Sequence, residues 1–304
     1  MAAAELRVIT GPTAAGKSGL ALALAPRHGA TIVSADSRQI YRHFDIGTAK
    51  PSAVEREAVP HRGIDVVEPT ERYSAARWAE DAERWVDEAA REGRDVVIVG
   101  GTGFYLRALF APLFAEPSLD PDRRVALQRE LAGLPTPELR RWCETLDPPR
   151  AHLGRAQLLR AIEVALLSGE RLSDLHARPT RAPRFTARYL VVDPGPVLGD
   201  RIARRVDEML AGGWVDEVRA LMRSVPEDAP AWNAAGYEAV REQVRGTLAP
   251  GAARERVIIE TRQYAKRQRT WMRHQLDAAR VTRIDPAAPD AVEQGERWWK
   301  AATG

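Results

Sequence analysis

The sequence of 304 residues contains one cysteine, Cys143. An intramolecular disulfide and a cysteine metal cluster are thereby excluded, and such usage fits a reducing compartment. Long apolar runs are missing as well. None approaches the roughly 20 residues that span a bilayer, and Met1 to Glu5 carries no charged-then-apolar leader pattern. A cytoplasmic protein that does not engage a membrane is expected, and a monomer. Lysine is scarce, occurring at Lys17, Lys50, Lys266 and Lys300, so arginine carries nearly all the positive charge; the net charge is only +3. Global charge alone therefore gives no argument for a nucleic-acid partner. Each lysine, in turn, becomes more informative.

What is present is an ordinary globular composition, 44% hydrophobic and 29% charged, long enough for one large domain or a domain with an insertion. Leu6–Ile9 reads as a short strand, and Gly19–Ala25 as the helix after it. Thr31–Val33 is a second strand ending in Ser34-Ala35-Asp36-Ser37. Asp95–Val99 is a third, ending in Gly100-Gly101-Thr102-Gly103, and a helix over about Ala75–Glu92 precedes it. Alternation of strand and helix predicts an α/β fold, a parallel sheet flanked by helices, with ligands bound at the carboxyl ends of the strands. The three polar turns should meet in one crevice. From about residue 115 to 183 the strand signal gives way to Pro-punctuated helical segments such as Arg123–Ala132 and Arg160–Leu167. A helical insertion over 115–183 is expected, with 1–114 and 184–304 forming the core. Ala187–Val192 returns the chain to the sheet, and long amphipathic helices come after it at about Arg201–Arg223 and Arg254–Arg280.

The turn after the first strand is Gly11-Pro12-Thr13-Ala14-Ala15-Gly16-Lys17-Ser18, a P-loop. Its glycines let backbone N–H groups turn inward around phosphate oxygens, and the positive end of the next helix adds to them. Lys17 neutralises phosphate charge and the Ser18 hydroxyl can coordinate Mg²⁺. A P-loop NTPase would place a carboxylate for the metal at the end of another strand, yet Asp95–Val99 runs into Gly-Gly-Thr-Gly. The carboxylate nearest by topology is Asp36. It can serve as a metal-shell group, a general base, or a cap for the segment after it.

At this level the residues resemble a family, the bacterial tRNA dimethylallyltransferases, also called tRNA isopentenyltransferases. The resemblance rests on ordered blocks: Gly11–Ser18, Ser34–Tyr41, Asp45–Pro51, Tyr73-Ser74, Val99–Tyr105, Arg160–Val164, Gly236-Tyr237, and Thr261–Gln268 with Trp271. It implies transfer of the dimethylallyl group from dimethylallyl diphosphate to N6 of adenosine 37 of tRNA, with Mg²⁺ and release of diphosphate. It implies that Asp36 is the base, that Thr13 adds a substrate contact, that Arg201 holds the diphosphate, and that Thr102 is an active-site threonine. On the tRNA side it implies contacts from Asp36, Ser37, Arg38 and Gln39, whose amide suits an adenine edge, and from Gln157, Leu158, Leu159, Arg160 and Ala161. The sequence departs from the family there, because His152–Gln157 replaces the usual Asn-Asp before Gln-Arg.

Arg262, Lys266, Arg269 and Arg273 recur at i, i+4, i+7 and i+11 and predict one basic stripe, with Arg262 and Lys266 as RNA contacts. Three rival readings share parts of this pattern: prenylation of free adenine nucleotides, a P-loop kinase of small metabolites, and a non-catalytic RNA-binding protein. The helical insertion and the basic helix favour tRNA as acceptor over a free nucleotide.

Overall fold

The computed structural model describes residues 4–111, 117, 119–178 and 182–301. The chain forms two compact units, Met1–Ala111 with Pro183–Gly304, and Pro112–Ala182. In the first, β1 (Ala4–Thr10), β2 (Thr31–Ser34), β3 (His61–Arg62), β4 (Val96–Val99), β5 (Phe185–Val192) and β6 (Val281–Ile284) build one sheet in the order β3-β2-β4-β1-β5-β6. All pairings are parallel; Val8 of β1 lies beside Ile98 of β4 and Tyr189 of β5. The strands read as apolar runs because both faces are covered, as parallel sheets require. On one face Trp78, Trp85 and Tyr105 pack against Val8, Val33 and Ile98. On the other, Leu20, Leu24, Trp298 and Trp299 pack against Ile9, Ile32 and Val97.

Local sequence explains the helices that position the site. Ala75–Arg91 begins where the Ser74 side chain accepts from Arg77 N–H at 3.1 Å. It buries Trp78, Ala82, Trp85 and Ala89, one stripe at helical spacing. The expected helix Arg201–Arg223 is in fact two, Leu198–Ala211 and Trp214–Leu221. Gly212-Gly213 breaks it, with Gly213 at φ 96°, a conformation that an L side chain resists. The helix expected at Arg254–Arg280 runs over Pro250–Gln275; a single turn, Ala278–Arg280, then leads into β6. Neither β6 nor the two-residue β3 stood out in the sequence. No helix among the described residues is long and apolar enough to cross a membrane.

The second unit consists of helices Pro121–Ala132, Thr136–Leu146, Arg155–Ser168 and Leu172–Ala177. The bounds expected for an insertion, 115–183, fall partly on 115–116, 118 and 179–181, which lie outside the described residues. Leu131, Leu139, Cys143, Leu158, Ala161 and Ile162 make its core. Cys143 is thus a packing residue, its thiol 3.4 Å from the Asp147 carbonyl. Leu158 is fully enclosed, so Leu158→Ala is expected to remove about 2–5 kcal/mol from this unit. Urea unfolding of the full chain, monitored by far-ultraviolet circular dichroism, would show an early transition in the variant; an unchanged profile would contradict the packing.

Candidate active site

β2, β4 and β1 are neighbours, so the turns at their carboxyl ends lie side by side. Backbone bonds join them: Gly100 N–H donates to Ile9 O at 3.1 Å, Ala35 N–H to Val99 O at 2.8 Å and Thr102 N–H to Ala35 O at 3.2 Å. The turns fit together because two glycines leave room. A Cβ on Gly11, at φ 153°, would lie 2.1 Å from Val192 O of β5, and one on Gly100 would lie 2.2 Å from Ala35 O.

The loop from Gly11 curls round to Lys17, the first residue of helix Lys17–Leu24, with Gly16 at φ 99°. Lys17 Nζ donates to Pro12 O at 2.8 Å, folding the ammonium over the loop. Burial, reinforced by the nearby Arg205 charge and opposed by Asp36, lowers the Lys17 pKa to about 8. A group so tuned gains most from an anionic ligand. Arg201 Nε donates to Ala14 O at 3.0 Å, steadying the loop from the Leu198–Ala211 helix. Gln268 is the other brace. Its Oε1 accepts from Thr13 N–H at 2.7 Å and its Nε2 donates to Gly101 O at 2.9 Å. Gln268→Leu strands both partners, and about 1–3 kcal/mol of stability should be lost, read as a lower melting temperature; a melt matching the wild type would remove Gln268 from this role.

Asp36 is half-buried just beyond β2, where its Oδ1 accepts from Arg38 N–H at 2.8 Å. Ser37 N–H donates to Thr102 Oγ1 at 3.1 Å, so Thr102 ties the β4 turn to the Asp36 turn. Two cavities open on this group. One of about 350 Å³ includes Gly16, Lys17, Ser18, Arg201 and Arg205 in its wall. One of about 110 Å³ includes Thr13, Lys17, Ser18, Asp36, Tyr264 and Gln268. Burial first, then the Asp36 charge, pushes the Tyr264 phenol up to about 12, leaving it a hydrogen-bond donor. The turn after β4 carries no carboxylate, and Asp36 lines the smaller cavity beside Lys17 and Ser18.

The IPP transferase family model matches residues 39–275. This chain belongs to that family. A tRNA dimethylallyltransferase of Anaeromyxobacter sp. (strain Fw109-5) is 44% identical over 277 residues, 89% of this chain and 92% of the relative. The full-length tRNA isopentenylpyrophosphate transferase of Bacillus halodurans superposes with a TM-score of 0.69 at 30% identity, covering 97% of this chain and 95% of that one. A eukaryotic dimethylallyltransferase acting on tRNA shares the fold, with a TM-score of 0.78 at 23% identity over 97% of this chain and 78% of the other.

In this IPP transferase several residues expected to meet RNA also have partners within the protein. The Gln39 amide has partners within the chain: its Oε1 accepts from Ser34 Oγ at 3.0 Å, and its Nε2 donates to Thr48 O at 3.2 Å and Ala49 O at 3.0 Å. Leu158 and Ala161 are core residues: Leu158 lies one turn before the buried Ile162, and Ala161 one turn after Leu158, on the same inward face. Gln157 Oε1 accepts from Gly154 N–H at 3.1 Å, closing the start of that helix; Leu159 packs on the same core and Arg160 pairs with Glu163 at 3.1 Å. The basic stripe is also divided. Arg269 is bound to Asp193, with Nε at 3.0 Å from Oδ2, while Arg262 and Lys266 are exposed. Of the scarce lysines, Lys50 is structural, its Nζ 2.6 Å from each of Tyr41 O, Asp45 Oδ1 and Asp65 Oδ1.

In the sequence Arg204 and Arg205 stood only as adjacent alternatives to Arg201 for the diphosphate contact. Arg205 lies one turn beyond Arg201 on the same helix face and lines both cavities. Burial lowers its pKa while the Asp36 charge opposes the shift. The i, i+4 spacing from Arg201 was the available signal.

Proposed function

We infer that this chain is a tRNA dimethylallyltransferase, moving the dimethylallyl group of dimethylallyl diphosphate onto N6 of adenosine 37, beside the tRNA anticodon. The observation that carries the reading is one cavity in which a phosphate-cradling loop and Lys17 face Asp36, while the turn after β4 offers no carboxylate for a nucleotide-hydrolysing metal site. An exocyclic adenine amine is a weak nucleophile, since its lone pair is delocalised into the ring. The carbon it attacks must therefore be made strongly electrophilic by stabilising the leaving diphosphate. Loop N–H groups, the helix start, Lys17, Arg201 and Arg205 supply fixed positive charge there. As the N6–C1 bond forms, the C1–O bond breaks and diphosphate departs. The extra proton on N6 passes to Asp36.

Mg²⁺ fits the same residues. Among the described residues no group of three or more His, Cys, Asp or Glu is arranged to hold a metal. Ser18, whose side chain lines both cavities, would then be the protein ligand of an ion that keeps diphosphate oxygens and waters as its others. When bound, the ion would neutralise charge developing on the leaving group. On the RNA side, Arg38, which lines the smaller cavity, and the exposed Arg262 and Lys266 are the side chains we assign to the anticodon loop. The tRNA substrate places the reaction in the cytoplasm.

Incubation with dimethylallyl diphosphate, Mg²⁺ and unmodified tRNA, with nucleoside mass analysis of the product, tests the reading. One adenosine per susceptible tRNA should gain a dimethylallyl group. Transfer to AMP but not to tRNA, or phosphate transfer from ATP, would overturn it.

A further inference from the structure

The cavity that contains Asp36 has a polar and an apolar end. Arg201, Arg205 and Met209 are each four residues apart on the Leu198–Ala211 helix and so share one face. Arg201 is fixed to the loop at Ala14 O, and Met209 lies two turns, about 12 Å, farther along the axis. A donor whose diphosphate rests at the Lys17 end therefore points its hydrocarbon toward Met209, Val206, Trp214 and Val257.

These walls differ in firmness. Trp214 is buried and meets Tyr237 edge to face, with centroids 5.3 Å apart. A Cβ on Gly47 would lie 2.1 Å from its indole nitrogen, so the ring is packed directly on that backbone. Met209 is half-buried and lines two spaces at once: the 110 Å³ cavity, and an open groove of about 920 Å³ that also touches Ile46, Pro51 and Ala53. Arg205 lines both as well, but only Met209 offers an apolar side chain, a thioether with three rotatable bonds, at this boundary.

We propose that Met209 is the partition that restricts the donor to a five-carbon prenyl group, and that truncating it joins the cavity to the groove and admits a ten-carbon donor. The proposal rests on the reading of the chain as a prenyltransferase and specifies its donor. A cavity of roughly 150 Å³ takes benzene, six carbons; the 110 Å³ here also includes the polar end beside Lys17 and Asp36, so its apolar end is of the scale of a five-carbon chain and short of a ten-carbon one. With geranyl diphosphate the bonds are the same: C1–O breaks, N6–C1 forms, the proton goes to Asp36 and diphosphate leaves.

The test compares kcat/KM for dimethylallyl and geranyl diphosphate with tRNA as acceptor. Wild type should strongly prefer the shorter donor. Met209→Ala should raise the geranyl-to-dimethylallyl ratio by at least about tenfold, within the range one pocket contact controls. Met209→Leu, which conserves volume, should keep the wild-type ratio. Met209→Phe supplies an independent arm: it should lower kcat/KM for dimethylallyl diphosphate while inhibition by inorganic diphosphate stays as in wild type. A wild type that uses both donors alike, or a folded Met209→Ala whose ratio matches wild type, would overturn the partition. If the wild type prenylates tRNA from neither donor, the prenyltransferase reading itself falls, and the partition with it.

Discussion

Asp36→Asn is expected to lower kcat for prenyl transfer to tRNA by about 10²–10⁴, the usual contribution of a positioned general base. The substitution isolates the proton-transfer role. Asparagine keeps an Oδ1 that can accept from Arg38 N–H as Asp36 does, so the turn between β2 and Thr102 should persist. What it loses is the charge and the basicity. Binding of dimethylallyl diphosphate should therefore survive, because the proposed cradle for its diphosphate, the loop with Lys17, Arg201 and Arg205, is left intact. Single-turnover transfer measured beside donor binding separates the two effects. Full activity in Asp36→Asn would remove the base assignment, and a loss confined to donor affinity would move Asp36 into the diphosphate or metal shell instead.

The parts of this site that were legible in the sequence are contiguous ones. Gly11–Ser18, Asp36 and the Gly-Gly-Thr-Gly turn each come directly after a strand, and the rule that parallel strands present their carboxyl ends together was enough to bring them to one crevice. Gln268 and Arg205 come from far along the chain, and their roles depend on which carbonyls and charges they meet. Nothing local distinguishes Gln268, which braces Thr13 and Gly101, from an exposed glutamine. Gln39 shows the limit of reading one side chain from sequence: its amide suits a base edge, and in the fold it also bridges Ser34, Thr48 and Ala49, partners that no local pattern marks. The joined helix at Arg201–Arg223 is a similar case: amphipathic spacing continues across the break, and only the two glycines marked it. β6 was hidden because four residues with an exposed Thr282 and Arg283 lack the apolar run of the central strands; an edge strand needs none. Leu158 and Ala161 lie on a core face, which two apolar residues three apart in a helix with Ile162 describe.

Lys17→Met should lower kcat by about 10²–10³, comparable with removal of a preorganised donor that stabilises developing negative charge, and it should also remove a pH dependence that the wild type shows. The sign comes from the two states of the lysine. In the free protein Lys17 titrates near 8, below its ordinary 10.5, because burial and Arg205 disfavour the cation. A bound diphosphate reverses that preference, since an opposite charge in contact raises a lysine pKa. The Lys17 contribution to affinity for inorganic diphosphate, read as wild type against Lys17→Met so that the ligand's own ionisation cancels, should then be constant below pH 8 and fall as pH rises through 8, by up to about tenfold per unit, because the cation must be restored on binding. Calorimetry above pH 8 in buffers of different ionisation enthalpy should reveal proton uptake. The stability of the ligand-free chain moves the other way: between about 8 and 10.5 the unfolded lysine holds more proton than the folded one, so the Lys17 contribution to stability rises with pH. In Lys17→Met the binding curve should lose this fall above pH 8 while remaining weaker throughout. A ratio of wild-type to variant affinity that is flat across pH 7–9 would assign the charge on the leaving diphosphate to Arg201 and Arg205 rather than to the P-loop lysine.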